Sequence, residues 1–481
     1  MLRIDRRGFL AAIGGGAATV VLAGLGRRAA AETAPEAQPP NIILAMTDDQ
    51  GWADVGYNAA TNSQRAFVRT PVMDEMAASG LRFSRFYAQA PLCSPTRGSV
   101  MTGRHPFRYG TFMPGSPFRR QEMTIAQALK SAGYTTGHFG KWHLNGVSGP
   151  GKPVPGDDPL SPGRFGFDEW FSVSNYFGLD WTFSHKGEEV KTTGDGSDVI
   201  VAEAVKFIRQ AAADKKPFLA VIWYGSPHVP IDPLPEYKEK AGGSAYYGEI
   251  YGVDHSLGTL RTELRKLGIA QNTLLWFNSD NGGVPAGSMG NLKGKKGTVW
   301  EGGLRVPAII EWPARIKKPA VTDVPAVTSD IYPTVLDFVG VKVAGQIEPL
   351  DGISIRGVVE GKMTERPRPI GFWHGGSGAK DKGHAALTDN RYKLHKLAPD
   401  KYELYDLLAD PTESKDIAAE HPDVVARMKA ALDAWQDSVV KSLAGGDYPG
   451  GLLPAPARPA SADEPPKKAG KKGKKAAGGG N

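Results

Sequence analysis

Short apolar runs alternate with longer amphipathic stretches along most of this chain. Asn41-Ile42-Ile43-Leu44-Ala45-Met46 is one such run, bounded by Pro40 and by Thr47-Asp48-Asp49-Gln50. Phe218 to Tyr224 and Thr273 to Phe277 are two more. Each lacks regular polar alternation, which predicts strands buried on both faces. A weaker strand signal surrounds Tyr134 to Gly137. Apolar residues at helical spacing predict helices over 124–131, 198–213 and 250–267. Strand then helix, repeated, predicts an α/β fold with a mostly parallel or mixed central sheet sandwiched by helices. After residue 365 the pattern changes. Residues 391–395 and 402–407 read as antiparallel strands and 422–440 as an amphipathic helix. The expected organisation is a main domain over 32–365 and a smaller C-terminal α+β subdomain over 366–445.

Both ends depart from this pattern. Asp5-Arg6-Arg7-Gly8-Phe9-Leu10 is a twin-arginine pattern, followed by small and apolar residues to Leu25 and an A-x-A site at Ala29-Ala30-Ala31. That layout predicts an export signal over 1–31, with the twin-arginine translocase as partner and a periplasmic or extracellular destination. The apolar stretch is too short and too rich in Gly and Ala to span a bilayer well. At the other end, 446–481 is rich in Pro, Ala, Lys and Gly without an apolar period, and is expected to be disordered. Its lysine pairs fit either a solubilising tail or an association with an anionic envelope surface.

The charge balance excludes one function class. The chain carries a formal net charge of +7, yet 1–31 and 459–481 hold +4 each, leaving −1 for 32–458. A nearly neutral body has no footprint for nucleic acid. Hydrophobic residues at 41% and charged residues at 23% are ordinary for a packed chain.

The candidate chemistry follows the predicted strands. Asp48 and Asp49 follow the first; His138, Lys141 and His143 follow the weak one; His228 and the pair Asp280-Asn281 follow the other two. In open α/β sheets, ligands bind beyond the carboxyl ends of the strands. Taken singly these residues say little, since an Asp pair after a strand is often a helix cap and Asn-Gly-Gly a turn.

Cys93 is the only cysteine, so it forms no internal disulfide. It opens Cys93-Ser94-Pro95-Thr96-Arg97-Gly98, and the chain also holds Gly140-Lys141-Trp142-His143, Ser226-Pro227-His228-Val229-Pro230 and Lys293 to Pro307. Together these resemble the type I sulfatases of the alkaline phosphatase superfamily over roughly 40–440. Thr96 stands where many members carry Ser or Ala, a variable position.

The resemblance implies that a maturation enzyme oxidises Cys93 to formylglycine, with Pro95 and Arg97 completing its recognition pattern. One hydroxyl of the hydrated aldehyde then attacks sulfur, and collapse of the other expels sulfate. It implies a metal site of Asp48, Asp49, Cys93, Asp280 and Asn281, whose oxygens suit Ca²⁺ better than Mg²⁺. Arg97 would steady the diol, Lys141 and Lys296 would bind sulfate, His143 would take a proton, and His228 would face the leaving oxygen. Lys295 is the alternative to Lys296 by a one-residue slip, and Ser174 or Asn175 would supply a further sulfate contact.

The expected function is hydrolysis of an aryl or carbohydrate sulfate ester, with a sulfated glycan as the favoured substrate. A phosphonate or phosphate ester hydrolase and a non-catalytic binder of sulfated glycans are the alternatives. Residues 145–165 are read as a pocket rim. Trp170, Tyr176, Trp181 and Trp373 are read as sugar-stacking or core, and His374 and Lys382 as substrate contacts.

Overall fold

Residues 38–454 are described in a computed structural model; the expected signal over 1–31 and residues 455–481 of the tail lie outside them. Five parallel strands form the heart of a ten-stranded mixed sheet: Thr273–Ser279, Asn41–Thr47, Phe218–Trp223, Thr135–Lys141 and Glu169–Val173. Ile43 pairs in register with Ala220 on one side and Leu275 on the other. The pleat sends successive residues to opposite faces, so an unbroken apolar run serves two cores at once. Ile42, Leu44 and Met46 enter one core; Ile43 and Ala45 enter the other.

Helices Gly196–Ala213 and Ala245–Lys266 cover the second core, and Cys93–Thr102, Ile125–Ser131 and Ile331–Val339 cover the first. Three helix starts have side-chain caps: Asp195 accepts from the Ser197 N–H, Ser244 from that of Tyr247, and Thr124 forms a capping box with Gln127. The Ser244 cap begins its helix five residues before the expected Ile250.

The mixed character comes from short antiparallel edges. Ala308–Glu311 and Leu81–Phe83 extend one side, with Ala320–Thr322 beyond them, and the hairpin Thr182–His185/Glu188–Lys191 extends the other. The weak strand signal at 134–137 becomes a strand through Lys141, so His138 and Lys141 lie within it rather than after it. His138 is buried core: its Nδ1 meets Ser172 Oγ at 2.7 Å and its ring packs edge-on to Trp142 and Trp223.

A four-stranded antiparallel meander, Ile370–His374, His384–Thr388, Tyr392–Ala398 and Lys401–Asp406, follows. Helix Pro422–Leu443 packs Met428, Leu432 and Val439 against Leu387, Leu394 and Leu404. From the opposite face, Phe372 and Ala386 pack with Val299 and Leu304 of the main domain. Buried charge links the same parts. The Glu301 N–H donates to Glu413 (2.7 Å), and the Lys393 ammonium lies 2.9 Å from Glu301 and 3.0 Å from Glu413.

Asp351 makes a second link. Its carboxylate accepts from Arg108 Nε and Nη2 (2.6 and 2.9 Å), the His105 N–H (2.6 Å) and Trp435 Nε1 (2.9 Å). Burial opposes its ionisation, yet Arg108 holds the carboxyl well below the usual range. A depressed carboxylate stabilises the fold above its unfolded pKa, about 3.9, and that contribution is lost as pH falls below it. Asp351→Asn should remove about 3 kcal/mol at neutral pH by leaving Arg108 buried without its counter-ion. It should also flatten the stability profile below about pH 4, measured by denaturant titration.

Candidate functional site

Cys93 is the first residue of helix Cys93–Thr102, every residue of which is buried. The helix tolerates Pro95 because a first-turn residue has no intrahelical N–H bond to lose. Gly98 is required by close approach: a Cβ there would sit 2.5 Å from the Tyr109 hydroxyl. One helical turn places Arg97 on the same face as Cys93. The guanidinium lies over Trp223 (5.1 Å), donates to Asp280 Oδ2 (2.7 Å) and to the Lys141 carbonyl (3.3 Å), and stands 3.9 Å from Asp48 Oδ2. The importance of Trp223 was hidden by its place in an apolar run.

The parallel strands bring the other polar groups to meet this helix. Asp48 and Asp49 leave strand Asn41–Thr47, and Asp280 and Asn281 leave its neighbour Thr273–Ser279. Asp49, at φ 66°, adopts the left-handed region that non-glycine residues rarely use, and it donates its N–H to Asp280 Oδ1 (3.1 Å). Asn281 Nδ2 donates to Asp49 Oδ1 (2.8 Å). Gly140, with φ 101° and no room for a Cβ beside the Trp223 carbonyl, bends the end of strand Thr135–Lys141. Lys141 Nζ then lies 2.5 Å from Asp48 Oδ2.

His143, at φ 53°, is buried beside Lys141, its N–H donated to the Ser174 carbonyl (2.9 Å) and neither ring nitrogen hydrogen-bonded. Burial, then Lys141 and Arg97, push its pKa well below the ordinary value, so the ring is a neutral base. His228 Nδ1 donates to the Val229 carbonyl (2.9 Å), and Nε2 lies 3.7 Å from Asp49 Oδ2. Tyr176 stacks on its ring at 4.8 Å. Lys296 Nζ contacts both Asp49 oxygens (2.6 and 2.7 Å), while Lys295 is exposed. Of the two lysines, Lys296 is the one that reaches Asp49.

The geometry fits a hard cation. Asp48, Asp280 and Cys93 place ligand atoms within 4.8 Å of one another, as do Asp48, Asp49 and His228. Asp48 Oδ1 and Asn281 Oδ1 are buried oxygens without a donor. Burial disfavours charge on Asp48, but Lys141, His228 and Arg97 hold its pKa well below the usual range. Burial and then Asp48 push Asp280 up to about 7. One carboxylate of this pair ionises readily and the second at a cost, which a divalent cation would offset. Burial also pushes the Cys93 thiol up to about 11. The unmodified side chain is a neutral thiol at working pH, a poor nucleophile.

Other expectations fare differently. Ser174 Oγ accepts from the Lys152 N–H (2.8 Å), and Asn175 Nδ2 donates to the Gly149 carbonyl (2.6 Å) with Oδ1 unpartnered. Trp170 and Trp373 are buried core, whereas Trp181 and Tyr176 are partly exposed. The 145–165 segment lies beside Trp181, whose Nε1 donates to the Gly151 carbonyl (3.0 Å). Among the described residues no helix is long and apolar enough to cross a membrane.

The chain is similar to known proteins. The family model described as Sulfatase matches residues 40–341, and one described as N-sulphoglucosamine sulphohydrolase, C-terminal, matches 294–438. N-acetylgalactosamine-6-sulfatase of Mus musculus is 31% identical over 417 residues, 78% of this chain and 75% of that protein. Arylsulfatase G of Homo sapiens is 30% identical over 418 residues, 74% of this chain and 75% of that protein. The solved structure of Ps i-CgsB in complex with k-i-k-neocarrahexaose aligns with a TM-score of 0.74 at 28% identity, covering 83% of this chain and 93% of that one. With its strand-end acids, lysines and histidines gathered around one buried cysteine, the chain belongs to the sulfatase family and is a sulfuric ester hydrolase.

Proposed function

We propose that this enzyme hydrolyses a sulfated carbohydrate with a formylglycine made from Cys93 and a bound calcium ion. The observation that carries this reading is the buried Cys93, whose Sγ lies within 4.8 Å of a carboxylate oxygen of Asp48 and of Asp280, on the helix that also presents Arg97. When Cys93 is oxidised to formylglycine, its hydrate supplies the hydroxyl that attacks sulfur. Asp48, Asp49, Asp280, Asn281 and the modified residue 93 would hold the calcium ion, which would supply positive charge to offset that of the sulfuryl oxygens.

The chain's own groups do the rest. Arg97 keeps Asp280 oriented and brings positive charge beside residue 93. Lys141 and Lys296 bring two ammonium groups to the same place and bind the sulfuryl oxygens. Neutral His143 takes a proton as sulfate leaves residue 93. His228 gives a proton from Nε2 to the ester oxygen, its Nδ1–H already committed to Val229.

The carbohydrate substrate is inferred from the relative named N-acetylgalactosamine-6-sulfatase, from the similar structure in complex with k-i-k-neocarrahexaose, and from the partly exposed Tyr176 and Trp181. The sequence patterns further support export by the twin-arginine route and a formylglycine-generating enzyme as partner.

Peptide mass spectrometry of protein co-expressed with such an enzyme should show formylglycine at position 93. An unmodified thiol, in a host that converts a control sulfatase, would defeat the reading. Cys93→Ala should lower turnover by at least about 10³-fold while leaving the thermal midpoint nearly unchanged. The mature enzyme should prefer an aryl sulfate to the matched phosphonate monoester in kcat/KM, and the reverse preference would reassign it as a phosphonate hydrolase. Calcium at a hundredfold excess over Kd should stabilise the protein by about 2.7 kcal/mol, read as a raised melting midpoint. An unchanged midpoint in Asp48→Asn would place the ion here; an equal rise would place it elsewhere.

A further inference from the structure

His228 sits in Ser226-Pro227-His228-Val229-Pro230-Ile231-Asp232, a segment whose two prolines have no N–H to anchor it. One side chain from another element brackets it. Glu249, in helix Ala245–Lys266 and 2% exposed, accepts from Ser226 Oγ through Oε2 (2.5 Å) and from the Asp232 N–H through Oε1 (2.8 Å). The helix comes this close because Gly248 precedes Glu249: a Cβ there would sit 2.9 Å from Pro233 Cγ. At its first residue the segment is also tied to the metal-ligand turn, the Asp48 N–H donating to the Ser226 carbonyl (3.1 Å). His228 itself adds the Nδ1 bond to its neighbour Val229, the stack on Tyr176 and the approach of Nε2 to Asp49 Oδ2 (3.7 Å).

We propose that Glu249 is a positioning residue for protonation of the leaving oxygen, holding both ends of the His228 segment so that Nε2 faces the ester. This rests on the reading of His228 as the proton donor. In that step the S–O bond to the leaving group breaks and its electron pair stays on the ester oxygen. That oxygen takes the proton from protonated Nε2, and the hydrate's hydroxyl oxygen, already ionised with its proton passed to solvent, forms the new bond to sulfur. Misplacing Nε2 therefore matters most for leaving groups that cannot depart as anions.

The bracket does not depend on the charge of Glu249. Burial, with Asp195 and Asp232 adding to it, pushes the carboxyl up to about 7, against the Ser226 and Asp232 hydrogen bonds. When protonated, one oxygen donates to Ser226 Oγ and the other still accepts from Asp232. A glutamine can do the same, its NH₂ facing Ser226 and its carbonyl facing the Asp232 N–H.

The test uses mature, metal-loaded enzyme and a series of aryl sulfates from 4-nitrophenyl to phenyl sulfate, with His228→Ala as reference. Glu249→Ala should lose little on 4-nitrophenyl sulfate and about 10²-fold in kcat on phenyl sulfate, with KM nearly unchanged. Glu249→Gln should stay within a few-fold of wild type across the series. Ser226→Ala removes one of the two bonds and should give a smaller loss with the same trend; it carries the test if Glu249→Ala does not fold. A loss equal on every substrate, or an equal loss in Gln and Ala, would overturn the role of Glu249. If His228→Ala itself shows no leaving-group trend, the assignment of His228 falls and this role falls with it. If His228→Ala shows the trend and Glu249→Ala does not, only the role of Glu249 falls.

Discussion

The site depends on a balance of buried charge. Asp48 and Asp280 lie at the ends of adjacent strands, both fully buried, and Arg97 stands between them at 3.9 and 2.7 Å. Desolvating such groups is expensive unless each finds its counter-charge at hydrogen-bonding distance. Arg97 does so for Asp280, Lys141 for Asp48 and Lys296 for Asp49. Removing any of these cations strands a carboxylate, and removing a carboxylate strands a cation. The helix that carries Cys93 is therefore fixed by electrostatics at its face and by packing at its back, where Val100 and Met101 join the first core.

That balance explains the architecture around it. Parallel strands deliver their carboxyl ends to one edge, so each acidic or basic residue one or two positions past a strand arrives at the same place. The C-terminal meander reaches this region indirectly. Its Lys393 and the nearby Glu413 clasp Glu301, which opens the short helix Glu301–Leu304 just after the loop of Lys296. The small subdomain thus supports a lysine five residues away in sequence from the residue it holds.

How much of this was legible depended on the kind of signal. The runs at 41–46, 218–224 and 273–277 announced central strands because both faces are buried, and the residues after them announced the site. The edge strands were not legible, since two to four residues carry no period. The helix Cys93–Thr102 was hidden because Pro95, Gly98 and its polar residues contradict a helical pattern; burial against Tyr109 and Trp223 overrides propensity there. His138 looked like a site residue because the strand was read too short. Glu249 was invisible for another reason. An acidic residue on a helix reads as a solvated face, and only the folded chain brings it to Ser226 and Asp232.

The burial of the Cys93 helix also sets an order of events during biogenesis. Cys93, Pro95 and Arg97 match the pattern that the proposed modification would need, yet in the finished fold all three are buried, Cys93 at 2% and Arg97 at 0% exposure. No second protein can grip that segment without unpacking the first core and breaking the Arg97 ion pairs. On the proposed formylglycine reading, oxidation of Cys93 would therefore act on the nascent or unfolded chain, upstream of folding. An export route that carries folded protein would receive an enzyme whose nucleophile had already been made inside the cell, beyond repair or reversal once it has left.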